Sequence, residues 1–304
     1  MNKHYCRIAG QCVFILAVMM VSSCSQKHSV AVEPFNSIEF DTISVAERHY
    51  LEKEGVGPYC DISVNFVYPV DADDYDLDFL RDVFVTSMFG DGDETADVEL
   101  VVNSYVESYF KNYEKDATTY QVSISEIEDL EDLGSDLHSH TGDAEHNLDH
   151  VFYSYYERLS DSIVFNKKDV LSFQVRQANR KGGVSSNYVS YTNYVINLKS
   201  GSLVVESDIF EPGYDKALQN LIITSLLEQN NVNSVQELED VGFFGLEEIL
   251  PNGNFLLTDK GIIYTYNKGE YSAVRLEAPE VFIPYSSIRS LLRENSIASK
   301  LANI

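Results

Sequence analysis

Apolar residues recur with two periods along this chain, one of two residues and one near 3.6, and these divide it into strands and helices. Ile62, Val64, Phe66 and Tyr68 alternate with Asp61, Ser63 and Asn65, which predicts a half-buried strand ended by Pro69. Leu77, Leu80, Phe84 and Met88 fall at helical spacing, with Gly90 as the stop. Val98, Val102, Tyr105, Val106, Tyr109 and Tyr113 predict a second helix, capped by Thr95 and presenting Glu99, Asn103 and Glu107 to solvent. The acidic, histidine-rich stretch 125–150 has weak periodicity and reads as mostly loop with short helical pieces. Strand signals then return at 151–156, and Leu171, Phe173 and Val175 alternate cleanly with Ser172, Gln174 and Arg176. Further strands are read at 188–198, after Lys181-Gly182-Gly183, and at 203–206, after the turn Lys199-Ser200-Gly201.

Beyond Pro212-Gly213 the pattern becomes helical again. Leu218, Leu221, Ile222 and Ser225 line one face of a helix ending at Asn230-Asn231. Ser234 and Glu237 have capping-box spacing ahead of Leu238 and Val241. A hairpin follows, with strands at 255–258 and 262–266 joined by Asp259-Lys260-Gly261. Val281, Phe282 and Ile283 predict a last strand before Pro284, and Ser286 or Ser287 a cap for a closing helix with Ile288, Leu291 and Leu292. Strands and helices come in blocks, so the expected class is α+β. The expected architecture is an antiparallel meander sheet with packed helices, followed by a smaller helix–hairpin–strand–helix C-terminal module.

The first residues carry an address. Lys3 and Arg7 precede an apolar run from Val13 to Val21, followed by Val21-Ser22-Ser23-Cys24. A basic start, a short apolar core and small residues before the cut make a secretory signal, and small residues ending on a cysteine match the lipobox of a bacterial lipoprotein. The run is shorter than the roughly 18 residues that a spanning helix needs. The expected division is a signal peptide at 1–23, a tether without clear period at 24–45 beginning at acylated Cys24, and domains at 46–206 and 207–304. Acylation through more than one chain would hold the protein on the membrane. Ser25, in place of the aspartate that commonly retains lipoproteins at the inner membrane, favours the outer membrane.

Removal of residues 1–23 leaves 20 basic against 48 acidic side chains, a net charge of −28. Such a surface argues against nucleic acid as a partner and for cations or basic proteins, while also serving solubility. Cys6 and Cys12 leave with the signal and Cys24 carries lipid, so Cys60 has no intramolecular disulfide partner. Beside an alternating strand, Cys60 reads as a buried small apolar residue rather than a nucleophile.

The sharpest cluster of chemical groups is His138, His140, His146 and His150, with acidic residues between them. On a helix, His146 and His150 share a face at a spacing that can grip zinc; a solvated polar loop is the plainer alternative. The acids from Asp71 to Asp78 read as a helix N-terminus rather than a calcium loop. Tyr188, Tyr191 and Tyr194 are read either as a sugar- or protein-binding face or as cross-strand packing. No nucleophile elbow, H-E-x-x-H pair, phosphate loop or paired C-x-x-C is present in the chain.

Two stretches resemble the PdaC/RsiV-like superfamily of extracytoplasmic domains. Residues 191–201, with Ser207-Asp208-Ile209-Phe210 beyond, resemble its tyrosine-rich strand, "D-L-K-T-G" turn and "D-L-F" helix entry. Residues 257–266 and Val281-Phe282-Ile283-Pro284-Tyr285 are similar to its C-terminal module of unknown function. Gly182-Gly183-Val184-Ser185 departs from the family's Gly-Gly-Ala-His, so no role of that histidine carries over. The anti-sigma factors of the family bind lysozyme through this region, but the span and cytosolic segment they need are absent here. Together these features lead to the expectation of a non-enzymatic envelope lipoprotein that binds a basic protein such as lysozyme, or peptidoglycan. The alternatives are a metal-dependent hydrolase of envelope polymers, using zinc at the histidine segment, and a structural envelope protein.

Overall fold

A computed structural model of the chain describes residues 34–51, 57–90, 97–132, 154–180, 188–273 and 278–303, with side chains of the second helix described as far as Ala117. Strands β1 (Ile38–Tyr50), β2 (Tyr59–Ala72), β3 (Tyr155–Lys167), β4 (Val170–Arg180), β5 (Tyr188–Asn197) and β6 (Ser202–Leu203) form one sheet in sequence order. Neighbours are antiparallel except β2 and β3. That pair is parallel because helices α1 (Leu77–Phe89) and α2 (Val98–Asp132) lie between them in the chain, and a parallel pair needs a crossover. Helices α3 (Glu206–Ile209), α4 (Asp215–Asn230) and α5 (Val235–Val241) lead to a second antiparallel sheet of β7 (Phe255–Leu257), β8 (Gly261–Thr265) and β9 (Glu280–Pro284). Short helices α6 (Tyr285–Ile288) and α7 (Ile297–Leu301) follow. The class is α+β, with the smaller sheet in the C-terminal third as the hairpin signals predict.

The two faces of the large sheet serve different cores. Ile62, Val64, Phe66, Leu159, Leu171, Phe173, Val175 and Ile196 pack against Leu80, Val83, Phe84 and Met88 of α1 and Val102 and Val106 of α2. On the opposite face, Phe165, Val170 and Val195 join Leu218, Ile222 and Leu226 of α4 and the inward residues of β7, β8 and β9. The clean alternation read in β4 is therefore buried on both sides from Val170 to Phe173. Ser172 sits on the second face, fully buried, where its hydroxyl donates to the Leu257 carbonyl at 2.8 Å and accepts from the Leu257 N–H at 3.3 Å. A hydroxyl with both capacities used fits between two sheets without loss.

The strand read at 203–206 shrinks to β6, with Glu206 already opening α3, and four longer elements differ from the sequence expectation, each for a local reason. Residues 38–45, read as the end of the tether, belong to β1. Their buried or half-buried apolar residues are Ile38 and Phe40, then Ile43 and Val45, so the alternation changes phase and no period shows. Pro69 does not end β2 but lies opposite Phe40 beside an irregularity in the register, where the Arg81 guanidinium donates to the Pro69 and Val70 carbonyls at 3.1 and 3.2 Å. β3 runs on to Lys167; its inward positions are Glu157, Leu159 and Asp161, and two acids in core positions disguise the pattern. Helix α2 continues to Asp132, past the last apolar repeat at Tyr113 and into the stretch read as loop.

The caps are closer to expectation. Gly90 ends α1 with φ 81°, a conformation glycine adopts without a Cβ penalty. Asp76 caps α1 by accepting from the Phe79 N–H at 3.0 Å, so this acidic stretch does open a helix. Asn231 ends α4 in the left-handed region. Ser234 accepts from the Glu237 N–H at 3.3 Å, while the Glu237 carboxylate accepts from Asn233, one residue before the cap. The closing helix departs from expectation: Ser286 and Ser287 lie inside α6 and do not cap it, α6 ends at Ile288 so that Leu291 and Leu292 fall outside it, and a separate α7 is capped by Ser296.

Candidate functional site

Strand β5 pairs with β4 along its length, but with β6 only at Ile196 and Asn197. Its other edge would expose backbone groups at Tyr191 and Asn193, and an open strand edge invites foreign pairing. Two asparagines of the C-terminal module close it. The Asn254 side chain accepts from the Asn193 N–H at 2.8 Å and donates to the Tyr191 carbonyl at 3.0 Å. Asn267 accepts from the Tyr191 N–H at 2.7 Å and donates to the same carbonyl at 3.1 Å. Asn193 in turn donates to the Asn254 carbonyl and the Thr265 hydroxyl, and accepts from Gln174.

These amides frame an open groove of about 660 Å³ lined by Tyr191, Thr192, Asn252, Gly253, Glu270 and Tyr271. Gly253 has φ 71° and donates its N–H to Glu206, which fixes the loop ahead of β7. Tyr271 is held edge-on to buried Tyr266, with ring centroids 5.5 Å apart, and its hydroxyl donates to the Glu248 carbonyl at 3.4 Å. The asparagine groups are occupied by the fold. Among the described residues, the Tyr191 and Thr192 side chains make no hydrogen bond, and the exposed Glu270 carboxylate has only a 3.4 Å contact from Asn252. Two aromatic rings, a hydroxyl and one carboxylate on a rigid floor offer stacking and hydrogen bonds to an uncharged polar ligand. A hydrolytic pair of carboxylates at glycosidase spacing is not part of this lining.

Asn254→Ala is expected to cost about 1–3 kcal/mol, because it leaves the buried Asn193 N–H without a bond and takes one of two donors from each of the Tyr191 and Thr265 carbonyls, which keep Asn267 and Asn252. Urea denaturation checks this. A loss below about 0.5 kcal/mol, the scale of an ordinary surface change, would mean that the asparagine contributes nothing to closing the edge.

The sequence-predicted residues are dispersed. Tyr188, Tyr191 and Tyr194 are three apart on one strand, so Tyr191 faces away from the other two. Tyr194 stacks on Phe173 at 5.0 Å in the helix-side core, Tyr188 is exposed, and Tyr191 alone lines the groove. They do not make one stripe. His138, His140, His146, His150 and Cys24 lie outside the described residues. Among the described residues, no group of three or more His, Cys, Asp or Glu is placed to hold a metal ion. Cys60 is fully buried, and burial pushes its thiol up to about 12, which keeps it protonated. The groove residues Asn252, Asn254, Asn267, Glu270 and Tyr271 were not singled out from the sequence. Their only signal is a run of asparagines flanking the predicted hairpin.

Residues 207–286 match the model of a family described as a protein of unknown function, DUF3298. A crystal structure of a DUF3298-family member from Bacteroides fragilis is 26% identical, with a TM-score of 0.74, covering 89% of this chain and 99% of that one. A DUF3298-family protein from Pseudomonas aeruginosa shares the fold at 11% identity and a TM-score of 0.54, covering 84% and 96% respectively. The curated proteins contain no match.

Proposed function

We propose that this protein is a lipid-anchored bacterial envelope lipoprotein of the PdaC/RsiV-like superfamily that binds cell-wall glycan without cleaving it. The observation carrying this reading is the groove beside β5, where Tyr191 and Tyr271 stand over a floor rigidified by asparagines. Its volume lies in the range of small-ligand sites and its open shape suits a chain passing through. In this reading residues 1–23 direct export, Cys24 carries the lipid at the outer membrane, the first domain runs from the start of β1 at Ile38 to residue 206 and the second over 207–304, and the groove lies at their junction. Among the described residues no helix is long and apolar enough to cross a membrane; in this reading the attachment is the lipid at Cys24.

Titration of the full chain with soluble peptidoglycan fragments tests the binding. Saturable binding is expected, weakened about tenfold by either Tyr191→Ala or Tyr271→Ala, with the fragments recovered uncut. Absence of binding, or affinity indifferent to both tyrosines, contradicts it. Cells grown with labelled palmitate should label the wild-type chain and not Cys24→Ser; unlabelled wild type contradicts the anchor.

A second reading, supported by the −28 charge of residues 24–304, is that a cationic protein such as lysozyme is the partner. Its affinity should then fall steeply between low and physiological salt. Binding that ignores salt removes this reading.

A further inference from the structure

On the other face of the large sheet, α2 and β3 line a narrower cavity of about 170 Å³, the space of about six water molecules. Tyr105, Tyr109 and Tyr113 follow one another four residues apart on α2, which places them on one helix face. Tyr155 of β3 meets Tyr113 edge-on, with ring centroids 5.2 Å apart and 68° between the planes. Glu157 is 7% exposed, and its Oε1 accepts from the Tyr105 hydroxyl at 2.8 Å and from Gln177 Nε2 at 2.6 Å. Exposed Asp116 adds a second carboxyl group to the lining. Burial holds the phenols of Tyr105, Tyr109, Tyr113 and Tyr155 above the ordinary tyrosine range, so the rings are neutral.

Tyr113 is the unexplained group. It is 2% exposed, it lines the cavity, and its hydroxyl has no hydrogen-bond partner among the described residues. A buried hydroxyl without a partner is costly, and native folds seldom keep one without a use. We propose that the cavity lined by Tyr105, Tyr109, Tyr113, Tyr155, Glu157 and Asp116 binds an alkylammonium group that carries at least one N–H. The electron-rich ring faces attract a cation, the two carboxyl side chains complement its charge, and the Tyr113 oxygen accepts its N–H. An anion would be repelled, and an oligosaccharide does not fit the volume. The site is separate from the groove and does not depend on glycan binding.

Calorimetric titration of the full chain with butylammonium chloride, tetramethylammonium chloride and sodium chloride at matched ionic strength tests the proposal. Saturable binding is expected for butylammonium, weaker binding for tetramethylammonium, which has no N–H, and none for sodium. Tyr113→Phe removes only the unpartnered oxygen and should weaken butylammonium about fivefold while leaving tetramethylammonium unchanged. Asp116→Asn, at an exposed position that does not threaten folding, should weaken both cations about threefold. Tyr271→Ala, in the groove, should change neither. A short lysyl peptide binding more tightly than butylammonium identifies a protein side chain as the source of the group; weaker peptide binding identifies a free amine. No saturable binding of butylammonium, or Tyr113→Phe affecting both cations alike or neither, overturns the proposal.

Discussion

Replacing Phe173 with alanine is expected to destabilise the protein by about 3–5 kcal/mol, the range for deleting a large aromatic from a core that cannot collapse. Phe173 is fully buried on β4. Its ring lies 4.1 Å from that of Phe84 on α1, with 15° between the planes, and 5.0 Å from that of Tyr194 on β5. It thereby joins the first helix to two strands of the sheet. The sheet backbone is fixed by ladders on both sides of β4, so the space left by the ring stays largely open. Urea denaturation gives the loss directly. A value near 1 kcal/mol would show that α1 settles onto the sheet and that this stack is not central.

Asp161 gives a second large effect, through pH. This inward residue of β3 accepts from the Val67 N–H at 2.7 Å, just beyond the point where the β2–β3 ladder ends. Its other oxygen is buried without a partner among the described residues. Burial raises its carboxyl from 3.8 to about 7, against the lowering effect of the backbone hydrogen bonds. Between those values the folded protein keeps a proton that the unfolded chain has released. The contribution to stability is therefore present below about 4, falls as pH rises, and is fully lost above about 7. Each pH unit of that window is worth about 1.4 kcal/mol, so a few kcal/mol are at stake. Asp161→Asn cannot titrate. Its stability relative to wild type should climb from pH 4 to pH 7 and then level off, with any fixed cost of the amide leaving that slope unchanged. A difference constant across the window would place Asp161 as an ordinary ionised carboxylate.

Legibility in the sequence followed the chemistry of each element. The α1 helix with its acidic N-terminus, β5, the β7–β8 hairpin, the cap at Ser234 and the stop at Asn231 are readable because the decisive residues are local. β3 was truncated because Glu157 and Asp161 occupy core positions, and their partners, Tyr105, Gln177 and Val67, are distant in sequence. Residues 38–45 of β1 read as tether because the apolar phase changes midway through them. The tyrosines of β5 were recognised as notable, but a spacing of three on a period of two cannot make one face. The groove was invisible for a different reason. Its asparagines act on the backbone of a strand more than sixty residues away, and no periodicity records a side chain that completes another strand's edge. Similarly, Tyr105, Tyr109 and Tyr113 read as the apolar face of a helix, and only the unpartnered Tyr113 hydroxyl separates a cavity wall from core.

The central claim, glycan held in the groove beside β5, is tested most directly by hydrogen–deuterium exchange of the full chain with and without soluble peptidoglycan fragments. Slowed exchange is expected at residues 191–193, 252–254 and 267–271, with the α1 and α2 amides unchanged. Protection confined to other segments, or no protection at saturating fragment, would contradict the account.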